Sequence, residues 1–208
     1  MGVRIKICGM TRVEDIEAAA CLGVDAVGLV LHAGSPRHLS IPQAQRLAAH
    51  VPAFVTTTVL FLDPKAEQVH AVLAAVAVDL LQFHGSEPPE FCRAFGRRYL
   101  KAVPMGSQVD IADYARRYGD AAALLLDSHA AGAKGGTGKA FAWSTLPPMS
   151  GPPLILAGGL RPDNVAAAIR TVRPYGVDVS SGVESTPGIK DHAKMKTFVN
   201  EVRHGASA

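Results

Sequence analysis

Only three cysteines occur in the 208 residues: Cys8, Cys21 and Cys92, far apart and with no CxxC spacing. An odd, scattered set excludes a disulfide scaffold and a zinc ribbon, and makes a reducing cytoplasm the expected compartment. No histidines stand at HxxxH spacing and none is paired with a carboxylate at ligand spacing, so no metal is expected. Long apolar runs are also missing. The greasiest stretch, Ala71 to Leu81, is short and carries Asp79, which argues against a membrane-spanning helix. Nothing before Arg12 has the apolar core of a signal peptide. Met1-Gly2 fails the myristoylation pattern because Lys6 stands where Ser or Thr is needed. Aromatics make up 6% of the chain and the net charge is only +3, so no basic, aromatic-laced footprint for nucleic acid exists. The two arginine pairs, Arg97-Arg98 and Arg116-Arg117, are expected at helix ends, where cations suit the dipole. No Ser/Gly-rich or charged linker divides the chain, so one domain over residues 1–208 is expected.

What the chain does contain is alternation. Short aliphatic runs occur at Val3–Cys8, Ala26–Leu31, Thr56–Leu62, Leu80–His84, Leu100–Val103, Ala122–Asp127, Leu154–Ala157 and Val177–Ser180. Each suits a strand covered on both faces. Helical segments are expected between them. Val13–Leu22 has Thr11 as a candidate N-cap and Gly23 as its stop. Pro64–Ala75 has Asp63 as a candidate cap with proline in first position. Pro42–His50, Pro88–Phe95, Val109–Tyr118, Pro162–Val172 and Asp191–Val202 complete the series, with a turn or two at Phe141–Leu146. Eight strands in strict alternation with helices predict an α/β fold of the (β/α)₈ barrel type rather than an open doubly wound sheet.

In such a barrel the chemistry sits at the C-terminal ends of the strands. Polar and glycine residues gather at those ends here. Gly158-Gly159 and Ser180-Ser181-Gly182 follow the seventh and eighth runs, where backbone N–H groups can approach a phosphate. Gly135–Lys139 fails the nucleotide P-loop pattern and reads as a lid. Cys8 ends the first run, where a thiolate can act as a base. Asp127 ends the apolar run Ala121–Leu126; partial burial would raise its pKa and suit a general acid. Lys6 faces the same side of its strand as Cys8 and is expected to pair with Asp178 inside the barrel, a mainly structural role with a possible effect on Cys8. Arg37 can hold a carboxylate with its guanidinium fork, or stand as a solvated loop residue. His84 is a polar lining residue.

Taken together, Lys6-Ile-Cys-Gly-Met-Thr11, Ser35-Pro-Arg37, Gln82-Phe-His-Gly85, Leu126-Asp-Ser128, Gly135-Gly-Thr-Gly138 with Phe141 and Trp143, Leu156-Ala-Gly-Gly-Leu160 and Asp178–Glu184 with Pro187-Gly188 and Lys190-Asp191 resemble the phosphoribosylanthranilate isomerases of tryptophan biosynthesis. The resemblance runs in order from about residue 4 to residue 199. It implies an Amadori rearrangement of an aminoaldose phosphate to an aminoketose, with no cofactor. It also implies Asp127 as general acid, Cys8 as general base, Arg37 against the anthranilate part, and Gly158, Gly159, Ser181 and Gly182 around the phosphate. Family members occur as monomers and homodimers. Ala142 departs from the family, which often has an acidic residue there, a point about local stability rather than chemistry.

Three rivals deserve comparison. The related histidine-pathway isomerase carries aspartates after both the first and sixth strands; Cys8 and Arg37 argue against it. A phosphosugar aldolase needs a lysine at the sixth strand, where this chain has Asp127. A non-catalytic phosphosugar-binding barrel would keep the glycine loops but lose the acid or the base.

Overall fold

A computed structural model describes residues 2–107, 109–128 and 151–207. Eight parallel strands close into a barrel in sequence order: β1 (Arg4–Cys8), β2 (Ala26–Val30), β3 (Thr56–Phe61), β4 (Leu80–Phe83), β5 (Tyr99–Pro104), β6 (Ala123–Asp127), β7 (Leu154–Leu156) and β8 (Gly176–Val179). Parallel neighbours require crossovers. These run through α1 (Val13–Cys21), α2 (Ile41–Ala48), α3 (Ala66–Ala75), α4 (Pro89–Arg93), α5 (Ile111–Arg117) and α6 (Val165–Val172), and α7 (His192–Ser207) follows β8. The β6–β7 connection, with the expected lid at 135–139 and the turn at 141–146, lies outside the described residues.

Alternation along the strands sorts side chains into two cores. Ile7, Leu29, Val59, Phe83, Leu124 and Val177 face outward into one large apolar cluster beneath the helices. Leu100, Ala102, Ala123, Leu125, Ile155 and Ala157 form a smaller cluster of their own. They alternate with the outward set, so this cluster fills the barrel interior, as a packed barrel requires.

Among the described residues, the strand–helix alternation is interrupted after β8. Between β8 and α7 the chain makes a short 3₁₀ turn, Ser181–Val183, and a small antiparallel hairpin, β9 (Glu184–Thr186) with β10 (Ile189–Lys190). Several expected helix starts also move. Thr11 does not cap α1; its hydroxyl donates to the Gly188 carbonyl and ties the first loop to that hairpin, and Arg12 takes the capping position. Asp63 does not cap α3 either. It sits in the left-handed region, its carboxylate accepts the Ser86 N–H across the neighbouring loop, and the helix begins at Ala66. Pro162–Asn164 is a turn before α6, because the Asn164 side chain accepts from Arg161 N–H and donates to the Gly159 carbonyl. Arg116-Arg117 closes α5 as expected, but Arg97-Arg98 lies beyond α4, which ends at Arg93. Among the described residues no helix is long and apolar enough to cross a membrane.

One buried ion pair braces the barrel outside its lumen. The Lys101 ammonium lies 2.7 Å from Glu87 and also donates to the Gly85 carbonyl; both side chains are at most 2% exposed. The same carboxylate accepts N–H groups of Asp63 and Gly85, which fixes the β3–α3 and β4–α4 loops together. Removing one partner of such a pair strands the other charge. Glu87→Ala is therefore expected to lower unfolding free energy by about 3–5 kcal/mol, measured by urea denaturation.

Candidate active site

The strand ends converge on one open cavity, whose lining includes Cys8, Arg37, Gln82, His84, Asp127, Gly158, Gly159, Asp178, Ser181 and Gly182. Every residue proposed from sequence for the site lies there except Lys6, which sits below the rim. Closure of β1 against β8 places Lys6 in register with Asp178. Their side chains meet at 3.0 Å and are almost fully buried, as the sequence led us to expect.

Cys8 packs tightly beside Gly28, where any Cβ would come within 2.6 Å of the Cys8 sulfur. That glycine gives the thiol its space. Burial pushes the Cys8 thiol up from its ordinary value, and the nearby Lys6 ammonium pulls the other way without reversing the shift. Asp178 is pushed up as well, by burial above all, with Lys6 opposing. On the far wall Asp127 accepts a contact from His84, Nε2 to Oδ2 at 3.3 Å. The Gln82 amide reaches the other ring nitrogen, Nδ1, at 3.0 Å. His84 is thus held from both sides.

The glycine loops have little room for substitution. Gly158 has φ +70°, and a Cβ there would lie 2.2 Å from the Ser128 backbone nitrogen. A Cβ on Gly182 would lie 2.0 Å from the Leu160 carbonyl oxygen. The loops after β6, β7 and β8 therefore approach each other backbone to backbone.

Arg37 is not a solvated loop residue. Its Nε and Nη2 grip Glu184 through a two-pronged bond, 2.7 and 2.6 Å. Glu184 in turn accepts from the Lys190 ammonium at 2.8 Å. Lys190 also donates to the backbone carbonyls of Cys8 and Ser180. Glu184 and Lys190 were not singled out by sequence reasoning. They fall within the motif stretch after β8, but nothing local distinguishes a buried loop charge from a solvated one. Asn164 was not singled out either, and Gln82 of β4 was quoted only as part of the Gln82-Phe-His-Gly85 motif.

A family model described as N-(5'-phosphoribosyl)anthranilate isomerase matches residues 5–201. The chain belongs to this family. The N-(5'-phosphoribosyl)anthranilate isomerase of Halorhodospira halophila is 50% identical over 206 residues, covering 99% of each chain. The crystal structure of phosphoribosyl anthranilate isomerase from Thermotoga maritima superposes with a TM-score of 0.87 at 38% identity, covering 97% of this chain and 99% of that one. A second phosphoribosyl anthranilate isomerase structure, in complex with reduced 1-(o-carboxyphenylamino)-1-deoxyribulose 5-phosphate, gives a TM-score of 0.80 at 34% identity, with 97% and 99% coverage. Isomerase family membership thus agrees with the barrel and with the cavity at its C-terminal mouth.

The network around Glu184 has a pH signature. Burial acts to raise the Glu184 carboxyl, but its bonds to Arg37 and Lys190 overcome this and hold it below its ordinary value of 4.5. A carboxyl depressed in the folded state adds stability above its unfolded pKa, and that stability is lost as pH falls through the folded value. Glu184→Gln is therefore expected to flatten the loss of unfolding free energy on acidification from about pH 5 to about pH 3, read by urea titrations at each pH.

Proposed function

We propose that this protein catalyses the Amadori rearrangement of N-(5-phosphoribosyl)anthranilate to 1-(2-carboxyphenylamino)-1-deoxyribulose 5-phosphate, in tryptophan biosynthesis, as one barrel domain and without a cofactor. Family membership supports the reaction. The observation that carries the residue assignment is that the thiol of Cys8 and the carboxyl of Asp127 line one cavity whose rim is made of glycine loops.

The reaction moves protons within one molecule, so it needs an acid at one part of the sugar and a base at another. Asp127 protonates the furanose ring oxygen. The C1–O bond breaks, the anilino nitrogen supplies its electron pair, and a protonated Schiff base forms. Cys8, as thiolate, takes the proton from C2, and those electrons shift to give an enolamine. Tautomerisation yields the aminoketose, and the two side chains recover their starting protonation states. His84, held by Gln82, keeps the Asp127 carboxyl oriented. Lys6 and Lys190 are the cations that favour the Cys8 thiolate against burial. The backbone around Gly158, Gly159, Ser181 and Gly182 takes the phosphate, and Arg37 faces the anthranilate carboxylate. Anchoring both ends holds the sugar between acid and base, which is where positioning lowers the barrier.

Purified protein is expected to consume the fluorescent substrate with no added metal or nucleotide. Cys8→Ala and Asp127→Asn should each lower kcat by about a hundredfold or more while the fold, followed by circular dichroism, and inorganic phosphate binding persist. Near wild-type kcat in either variant would falsify that assignment. Because the base acts deprotonated and burial raises the Cys8 thiol, kcat/KM should climb with pH across the neutral range. The phosphate site has its own check. Gly182→Ala forces the β7 and β8 loops apart and should weaken competitive inhibition by inorganic phosphate, with a smaller effect on kcat.

A further inference from the structure

The charges around Arg37 do not balance. Arg37 and Lys190 are two cations, and Glu184 is the single carboxylate bonded to them. All three side chains are largely buried, Lys190 completely and Arg37 at 13% exposure. The ammonium of Lys190 has three donors, and three acceptors take them: Glu184 at 2.8 Å, Cys8 O at 2.6 Å and Ser180 O at 3.2 Å. Its bonding capacity is full. On Arg37, Nε and Nη2 are spent on Glu184, and among the described residues Nη1 has no partner. While Cys8 is a thiol, as burial favours, this cluster carries one surplus positive charge, which is costly away from water and draws an anion. The surplus has one outlet with donors to spare, the open edge of Arg37 at the cavity.

We infer that Glu184, itself anchored by Lys190, positions the Arg37 guanidinium and sets the site's selectivity for a substrate carrying a carboxylate on its aromatic amine. The inference rests on the reading of Arg37 given above and extends it to residues that touch no substrate. Three loops meet in this device. Arg37 follows β2, Glu184 opens the hairpin after β8, and Lys190 closes that hairpin over the carbonyl at the end of β1. Gripping Nε and Nη2 fixes the plane of the guanidinium, so the remaining edge is presented in one orientation. Arg37 also closes over Gly9, where a Cβ would lie 2.3 Å from its Cδ, so the stem of the side chain is fixed too.

The experiment compares two compounds, the anthranilate substrate and the same phosphoribosylamine built on aniline, which has no carboxylate. Glu184→Gln should lower kcat/KM for the anthranilate compound at least tenfold, mostly through KM. The loss for the aniline compound should be at least fivefold smaller, since any effect passed through Lys190 to Cys8 falls on both compounds alike. Glu184→Asp, which keeps the charge and shortens the reach, should show a smaller selective loss and serves if the Gln variant does not fold. A merely structural role would lower both compounds equally, and that outcome overturns the inference. Arg37→Ala separates the two layers of the argument. A carboxylate-selective loss in Arg37→Ala with an equal loss in the Glu184 variants overturns the role of Glu184 alone. An equal loss in Arg37→Ala overturns the reading of Arg37 beneath it.

Discussion

Arg4, Ile5, Lys6 and Ile7 of β1 lie beside Gly176, Val177, Asp178 and Val179 of β8, hydrogen-bonded in parallel. That seam closes the barrel, and the site depends on it. It brings together residues more than 170 positions apart: Lys6 with Asp178, Cys8 with Ser180, and Cys8 with Lys190. An open sheet of the same strands would leave β1 and β8 as distant edges, each with a row of unpaired backbone groups. Cys8 at the end of β1 would then keep Lys6 of its own strand but lose Lys190, and the Ser180–Gly182 turn would no longer lie across from it.

Closure also explains how the barrel tolerates charge in its interior. Lys6 and Asp178 are each costly to desolvate, and the register pairs them one to one. Arg37, Glu184 and Lys190 follow a different rule: two cations share one carboxylate, and carbonyls at two strand ends satisfy the ammonium. Balanced charge lies deep and unbalanced charge lies at the mouth. The first holds the fold; the second, through Arg37, faces the open cavity.

Much of the architecture was legible because its signals are local. Aliphatic runs of strand length with glycine or proline between them marked the strands, and a count of eight in alternation favoured a barrel. Individual helix caps were less legible. Thr11 and Asp63 have the chemistry of caps, yet each found a stronger partner in a neighbouring loop, Gly188 for one and Ser86 for the other. Cap preference is worth about 1 kcal/mol, so a tertiary hydrogen bond of similar size overrides it. The hairpin β9–β10 left no pattern at all, since its strands of three and two residues are too short for alternation to show.

From the chain alone came the polarity of the barrel, the glycine loops, Cys8, Asp127, His84 and Arg37 at its mouth, and the pairing of Lys6 with Asp178. These follow from one-dimensional facts: which residue ends a strand, and which face it shares. Only the tertiary structure decided what Arg37 is bonded to, that Lys190 is buried, and that Glu184 joins them. A charge in a loop is normally solvated, and its sequence neighbours say nothing of a partner 147 positions away. Burial of such a group is a property of three loops meeting, and it exists only once the strands beneath them have closed.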